Sequence, residues 1–230
     1  MKTIGLIGGM SWESSLEYYR IINELVKKKL GEPHSAKSIM YSVDFAEFEN
    51  LQHQGNWNLL SDKMVKIAQK LEKAGADLVL ICTNTMHKMA PEVQASINIP
   101  LLHIADAAAD EIKKQNIKKI GLLGTNFTME QDFYKGRLKE KHGIDVVIPE
   151  KEERKIIHNV IYKELISGLI KDQSRAKFIK IIKNLKVRGA EGVVLGCTEI
   201  PLLIKDKDVD IPVFNTTELH AIKAVEKSLE

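Results

Sequence analysis

Cys197 is the side chain of this sequence best suited to nucleophilic or acid–base chemistry. It follows Gly196 and precedes Thr198 and Glu199, where a helix is predicted to open. A thiol at the N-terminus of a helix lies near the positive end of the helix dipole and near free amide hydrogens, and both favour the thiolate. We therefore expect Cys197 to be reactive, with its pKa lowered from the ordinary value of about 8.5.

An internal repeat identifies the position equivalent to Cys197. The repeat consists of three pairs of segments in the same order, which are 4–8 with 120–124, 75–77 with 189–191, and 99–100 with 211–212. One such match could arise by chance, but three in order predict two halves with the same topology. When the middle pair is extended without gaps, Thr83 falls on Cys197.

The repeat thus places Thr83 and Cys197 at equivalent strand ends. In open parallel sheets, ligands bind beyond the carboxyl ends of the strands. Two halves facing each other across a cleft would present the polar segments 83–85 and 197–199 to a shared ligand. The other cysteine, Cys82, lies one residue before Thr83, so its side chain should point to the opposite face of the strand, and we expect it to be a buried structural thiol.

Glycine-containing turns follow the first strand of each half. Residues 8–11 (Gly-Gly-Met-Ser) and 124–126 (Gly-Thr-Asn) lead from a predicted strand towards a helix. Such turns let a ligand's carboxylate approach backbone amides, although a plain tight turn has the same composition. The first turn lacks the spacing of a dinucleotide-binding fingerprint, and no phosphate-binding lysine motif follows it. We therefore expect no nucleotide cofactor. The two cysteines have neither metal nor disulfide spacing, so we also expect no metal.

The elements that must position these residues alternate along the chain. Apolar strands separated by amphipathic helices are typical of parallel sheets covered by helices. We predict an α/β protein with two pseudo-symmetric Rossmann-like domains, mostly parallel sheets and the active site in the cleft between them. The interlocking order of the repeated segments predicts one half over 1–97 plus 209–230 and the other over 98–208. A single helix is predicted over 129–141.

Composition argues against several classes of function. The chain has 230 residues, of which 44% are apolar, and a net charge of +3. Its longest basic run, 27–29, ends an amphipathic stretch and fits a solvated helix end better than a nucleic-acid surface. No apolar run approaches the ~18 residues that span a membrane, and the N-terminal run lacks the features of an export signal. We expect a cytoplasmic protein that binds neither nucleic acid nor membranes.

Three motifs together resemble the aspartate/glutamate racemase family. They are 8–12 (Gly-Gly-Met-Ser-Trp), 82–87 (Cys-Thr-Asn-Thr-Met-His) and 196–199 (Gly-Cys-Thr-Glu). The resemblance covers nearly the whole chain and is closest to the bacterial broad-specificity or L-aspartate/glutamate-specific amino-acid racemases. It implies an isomerase that acts on a small amino acid, forms a homodimer and uses no pyridoxal phosphate, metal or nucleotide. In this family, two thiols flank the substrate α-carbon, one removing a proton and the other donating one.

The resemblance also implies the site residues. Those carried over as catalytic are Cys197 and Thr83, and those carried over as substrate-binding are Met10, Gln52, Asn84, Thr85, Thr125 and Thr198. The sequence departs from the family pattern at Thr83, where a cysteine is usual, and a hydroxyl is a far poorer base than a thiolate. We therefore expect unequal handling of the two enantiomers. Gln52 lies in a polar stretch, 50–58, where an exposed loop residue is the alternative.

Two other functions are compatible with this sequence. A fold with one reactive cysteine could isomerise or decarboxylate dicarboxylates, because Thr83 leaves only one thiol of the pair. A non-catalytic amino-acid-binding protein with a two-lobed cleft would keep the same strand tips without turnover. His87 fits a hydrogen-bonded structural role, and Lys163 fits a solvated helix face.

Overall fold

A computed structural model describes residues 1–230 and divides the chain into two compact halves. The first half comprises Met1–Ile104 and His220–Glu230, and the second comprises Ala105–Leu219. Each half contains a four-stranded sheet in which every pairing is parallel, with helices around it. The predicted α/β class and its parallel sheets are confirmed.

The first half has the strand order β2-β1-β3-β4. Its strands are β1 (Ile4–Gly8), β2 (Ser38–Ser42), β3 (Leu78–Ile81) and β4 (Leu101–Leu102). Its helices are α1 (Trp12–Leu30), α2 (Phe45–His53), α3 (Trp57–Lys73) and α4 (Ala90–Ala95), with a 3-10 turn at Thr85–Met89.

Helix α1 begins and ends where the sequence predicts. The side chain of Ser11 accepts a hydrogen bond from the backbone N–H of Ser14, which satisfies one of the free donors at the helix start. Gly31 ends the helix with a φ of 86°, and its N–H donates to the carbonyl of Lys27. A residue without a Cβ adopts this backbone conformation without strain, so glycine is a natural stop.

The second half repeats the topology, with the strand order β6-β5-β7-β8. Its strands are β5 (Lys119–Gly124), β6 (Asp145–Val147), β7 (Gly192–Gly196) and β8 (Val213–Asn215). Its helices are α5 (Ile104–Lys114), α6 (Asn126–Glu130), α7 (Asp132–His142), α8 (Lys151–Lys163), α9 (Asp172–Val187) and α10 (Ile200–Leu203), with 3-10 turns at Leu165–Ser167 and Asp206–Asp208. The last helix, α11 (Thr216–Leu229), begins in this half and ends in the first.

One predicted helix is two. The helix expected over 129–141 is divided between α6 and α7 at Gln131, whose ψ of 156° is extended rather than helical. No helix of the chain combines the length and the apolar character needed to cross a membrane.

The boundaries between the halves lie at different residues of the chain from those expected. Strand β4 pairs with β3, with Val79 opposite Leu101, so the strand near residue 100 completes the first sheet. Strand β8 pairs with β7, with Val193 opposite Val213, and completes the second. The predicted division into 1–97 plus 209–230 and 98–208 is therefore wrong here, because it assigns β4 to the second half and β8 to the first. Backbone hydrogen bonds tie each fourth strand to the strand that precedes it in the chain, so the junctions fall after residues 104 and 219.

Strand β3 is buried on both faces, and its alternation separates two cores. Val79 and Ile81 pack in a cluster with Met64 and other side chains of α3. Leu80 and Cys82 pack on the other face, in a cluster with Tyr18 of α1 and residues of α11. Cys82 is fully buried there, which confirms that it is a buried thiol on the face opposite to that of Ile81.

A charged network joins two helices of the second half. Asp106 on α5 accepts hydrogen bonds from Arg137 Nε and Nη2, each at 2.7 Å, from Lys141 Nζ at 2.7 Å and from His142 Nε2 at 2.8 Å, all on α7. Burial alone would raise the pKa of Asp106, but these hydrogen bonds and the Arg137 charge lower it well below its usual range. The partly buried carboxylate is therefore paired through both of its oxygens.

Candidate active-site residues at two strand tips

The tip of the first half begins where β3 ends. Thr83 is half-buried, and Asn84 and Thr85 are buried as the chain turns into the 3-10 helix. The backbone N–H of His87 donates to the carbonyl of Asn84 at 3.1 Å, which closes this turn. The polar segment 83–85 is thus held in a tight local structure immediately beyond a buried strand.

His87 fixes the backbone of Thr83. Its Nδ1 lies 2.8 Å from the Thr83 carbonyl oxygen, and the backbone N–H of Ile104 donates to its Nε2 at 3.1 Å. Because Nε2 accepts, the ring proton must sit on Nδ1, which donates to Thr83. These contacts confirm the structural role expected of His87, as a neutral ring that orients the strand tip.

Two further buried histidines lie beside His87, and no local sequence pattern indicates either of them. The ring centroids of His103 and His220 lie 4.6 and 5.7 Å from that of His87. His220 Nε2 donates to the carbonyl of Leu102 at 2.8 Å, and its Nδ1 is hydrogen-bonded to the Tyr18 hydroxyl at 2.8 Å. The motif around Thr83 therefore rests on side chains far away in sequence, which only the fold brings together.

The glycine turn after β1 is shaped by packing. Gly9 has a φ of 89°, and a Cβ there would lie 2.3 Å from the carbonyl oxygen of Val43. Its N–H already donates to Ser15 Oγ at 2.7 Å, so this amide is not offered to a ligand. Close approach to Val43, rather than room for a carboxylate, therefore explains glycine at this position.

Met10 and Gln52 are both buried in the first half. Both pack near Met86, since Met10 and Met86 share one apolar cluster and Gln52 Nε2 lies 3.2 Å from Met86 Sδ. Gln52 is only 4% exposed and lies on α2, so the exposed loop proposed as its alternative is wrong. The polar stretch conceals the end of a helix because it also contains the C-cap of α2, Gln54, and the N-cap of α3, Asn56.

The tip of the second half follows β7. Cys197 is 8% exposed, and its Sγ donates to Glu199 Oε2 at 2.9 Å. The Thr198 hydroxyl donates to the same oxygen at 2.9 Å. One carboxylate oxygen therefore accepts hydrogen bonds from both the thiol and the hydroxyl. Glu199 is thus a candidate site residue for which the sequence predicts no role.

The environment of Cys197 raises its pKa. Burial is the largest cause, followed by the negative charge of Glu199 and the hydrogen bond to it, and backbone hydrogen bonds from Glu199 and Thr198 oppose them only in part. The expected lowering of the pKa is wrong because α10 has only four residues and a carboxylate stands at its start. The pKa of Cys82 is also raised, by burial alone.

Thr125 lies at the end of the strand beside β7. Gly124 of β5 is opposite Gly196 of β7, so the residues that follow them leave the sheet next to each other. Thr125 caps α6, accepting from the N–H of Thr128 at 3.3 Å, and the N–H of Asn126 donates to His158 Nδ1 at 3.3 Å. The fold thus brings Thr125 and Cys197 to the same edge of one sheet, as the sequence predicts.

The same relation holds in the first half, where Ile7 of β1 is opposite Ile81 of β3. Met10 and Thr83 accordingly follow neighbouring strands. Lys163 is exposed at the end of α8, as expected of a solvated helix face.

Comparison with known proteins points to one family. The family model described as Asp/Glu/hydantoin racemase matches residues 7–224. A solved structure from Yersinia pestis, assigned as an Asp/Glu racemase, is 51% identical, covers 100% of both chains and superposes with a TM-score of 0.94. An aspartate racemase homologue from Pyrococcus horikoshii is 39% identical over 100% of both chains, with a TM-score of 0.87. The broad-specificity amino-acid racemase of Bacillus subtilis is 22% identical over 238 residues, or 96% of each protein.

Proposed function

Since the chain belongs to the Asp/Glu/hydantoin racemase family, we propose that it racemises aspartate or glutamate without a cofactor, using Cys197 and Thr83 as the two proton-exchanging groups. Membership makes the chain an isomerase-type enzyme that acts on amino acids. The substrate and the roles of the two residues are the proposal. The observation that carries it is the Cys197–Glu199 pair at the tip of β7.

The pair answers the main chemical demand of the reaction. The α-hydrogen of an amino acid is a very weak acid, so its removal needs a strong base in a site with little water. Glu199 Oε2 is within hydrogen-bond distance of the Cys197 thiol and can accept its proton. The resulting thiolate removes the α-proton, and the raised pKa of Cys197 makes it a stronger base than an ordinary thiolate.

Thr83 supplies the second proton exchange in this proposal. Its hydroxyl donates a proton to the opposite face of the α-carbon and recovers one from a neighbouring polar group or from water. A hydroxyl gives up its proton far less readily than a thiol, so the Thr83 face exchanges more slowly. Because the two enantiomers have equal free energy, kcat/KM must be the same in both directions. The difference between the Cys197 and Thr83 faces therefore makes kcat and KM differ between the two enantiomers while their ratio stays equal. It also makes the two enantiomers differ in how fast they exchange the α-proton without inversion.

The remaining polar residues hold the substrate. Charge that develops on the α-carboxylate is stabilised by fixed hydrogen-bond donors, which act without reorganising during the reaction. We assign this role to Asn84, Thr85 and Thr198, which are buried at the two tips. Met10, Gln52 and Thr125 complete the substrate contacts in the proposal.

Isotope exchange tests the proposed activity. L-Aspartate and L-glutamate are incubated separately with the purified protein in deuterium oxide, without added cofactor, and α-deuterium is followed by NMR while chiral chromatography follows the D-enantiomer. We expect both products with at least one of the two substrates. If neither aspartate nor glutamate acquired α-deuterium, the proposal would be wrong.

A second candidate is favoured by Thr83 alone. With a thiol at only one of the two equivalent positions, the site could isomerise or decarboxylate a dicarboxylate, a reaction that needs a proton donor on only one face. Product analysis with maleate and with substituted malonates separates the two functions. Turnover of these compounds without α-exchange in aspartate or glutamate would support the second candidate.

We also propose that the protein is a homodimer that works in the cytoplasm. Closed two-fold dimers are the commonest assemblies among soluble enzymes. Analytical ultracentrifugation checks the assembly, since the chain mass of 25.9 kDa distinguishes monomer from dimer. Fractionation of the cells of origin checks the compartment.

A further inference from the structure

A cavity of about 340 Å³ in the first half is lined by none of the residues assigned above to the active site. It lies between the end of β2, the start of α2 and the middle of α3. Its apolar wall includes Phe48 and Ile67, which are 3% and 5% exposed. The volume falls within the roughly 300–1,000 Å³ of small-molecule sites.

Three lysines of α3 line this cavity. Lys63, Lys66 and Lys70 are spaced by three and four residues, so they share one face of the helix. Like charges at this spacing repel each other. Glu47 offsets one of them, with its Oε2 3.0 Å from Lys63 Nζ. Nothing comparable offsets the positive charge of the other two.

The other groups at the cavity suit an anion as well. Lys70 Nζ lies 5.0 Å from the centre of the Tyr41 ring and 3.4 Å from its hydroxyl oxygen, which directs the ammonium group along the cavity wall. The second acid of the lining, Asp44, caps α2, where its Oδ1 accepts from the N–H of Ala46 at 3.1 Å. Three lysines against two acids leave the lining with one net positive charge, and Glu47 is ion-paired with Lys63 rather than with Lys66 or Lys70.

We propose that this cavity binds a small organic anion, namely a carboxylate or phosphate on an aromatic or apolar body. Lys66 and Lys70 hold the negative charge, and Phe48 and Ile67 contact the apolar body. The hydroxyl group of Ser42, at the end of β2, adds a hydrogen bond.

The cavity adjoins the turn that follows β1 through the backbone. Val43, which lines the cavity, donates its N–H to the carbonyl of Gly8 at 3.1 Å and packs tightly against Gly9. Phe48 lies one helical turn before Gln52 on α2. A bound anion therefore stabilises the backbone beside Met10 and the helix that carries Gln52, and modulates turnover. This modulation rests on the proposed function, whereas binding itself does not.

Calorimetric titration with phenyl phosphate and with phenylacetate tests the site. The wild type is compared with the double variant Lys66→Ala/Lys70→Ala and with the control Lys73→Ala, an exposed lysine of the same helix that does not line the cavity. We expect equal binding by the wild type and the control, at least tenfold weaker binding by the double variant, and weaker binding at higher salt. The stronger of the two probes identifies the anionic group. Benzyl alcohol, which has the ring without the charge, should bind at least tenfold more weakly.

Several outcomes would overturn the proposal. They are no binding of either probe to the wild type, equal affinity in the double variant, equal affinity for benzyl alcohol, or displacement of the probe by aspartate, which would place the probe in the substrate site. Titration requires no turnover, so loss of the racemase proposal would leave this result interpretable.

Discussion

The segments 83–85 and 197–199 follow equivalent strands of two sheets with the same strand order, yet they are held in different ways. The first is anchored by His87, whose Nδ1 donates to the Thr83 carbonyl. The second is organised around the Glu199 carboxylate, which accepts from Cys197 and Thr198. The duplicated backbone sets where each tip lies. The side chains that contact the tip set its chemistry, and Glu199 belongs to the second segment itself whereas His87 lies just beyond the first. The two tips therefore differ in chemistry although their topology is the same.

The largest effect is expected when the thiol of the second tip is removed. Cys197→Ala deletes the proposed base, so α-deuterium exchange should fall by at least about 1,000-fold while the melting temperature changes little. Cys82→Ala is the matched control. It deletes a fully buried side chain of the first-half core, so it should cost roughly 1–3 kcal/mol of stability and keep most of the exchange activity. The reverse pattern would assign the chemistry to Cys82.

A smaller effect is expected when the charge beside the thiol is removed. Glu199→Gln removes the acceptor of the thiol proton, so exchange should slow by about 10–100-fold. It also removes a negative charge that raises the pKa of Cys197, so that pKa should fall. Alkylation by iodoacetamide, measured from pH 6 to 10, should then shift to lower pH in the variant.

The sign of the wild-type pH dependence follows from the same cause. A raised pKa keeps Cys197 protonated at neutral pH, so its alkylation in the wild type should increase as the pH rises above 7. An identical alkylation profile in Glu199→Gln and the wild type would show that Glu199 does not control the thiol.

Restoring a thiol to the first tip tests the difference in chemistry between the two tips. Thr83→Cys should increase the kcat of the slower direction by about tenfold and bring exchange without inversion closer to equality for the two enantiomers. Thr83→Val keeps the shape and removes the hydroxyl, so inversion should be lost while Cys197 still exchanges one enantiomer with solvent. Equal kcat values for both directions in the wild type would contradict the asymmetry.

The sequence predicts the strand tips well because their signals are local. A buried strand followed by a polar segment marks each tip, and the repeat aligns Thr83 with Cys197. Alternation along β3 also predicts that Cys82 faces the other core, which the structure confirms. The cap of α1 at Ser11 and its stop at Gly31 are likewise set by neighbouring residues.

The features that the sequence missed depend on contacts distant in sequence or on competing charges. His220 reaches the Leu102 carbonyl from the end of the chain, and no local pattern indicates that contact. The pKa of Cys197 was predicted with the wrong sign because a helix start was weighed without burial and without the nearby Glu199. The exchange of β4 and β8 between the halves has a similar origin, since order along the chain does not specify which sheet a strand joins.

The smallest effect concerns how each half tolerates acid. Buried histidines surround the first tip, whereas the second half contains the partly buried Asp106 carboxylate with its three basic partners. The folded-state pKa of Asp106 is lowered, so its contribution to stability is present above the unfolded pKa of about 3.9 and is lost as the pH falls below it. Asp106→Asn should therefore cost about 2 kcal/mol of unfolding free energy at pH 7 and flatten the loss of stability between pH 5 and 3. Urea unfolding at several pH values, followed by far-UV circular dichroism, measures both the free energy of unfolding at pH 7 and its dependence on pH. Parallel curves for the variant and the wild type would mean that other carboxylates carry the acid sensitivity of the second half.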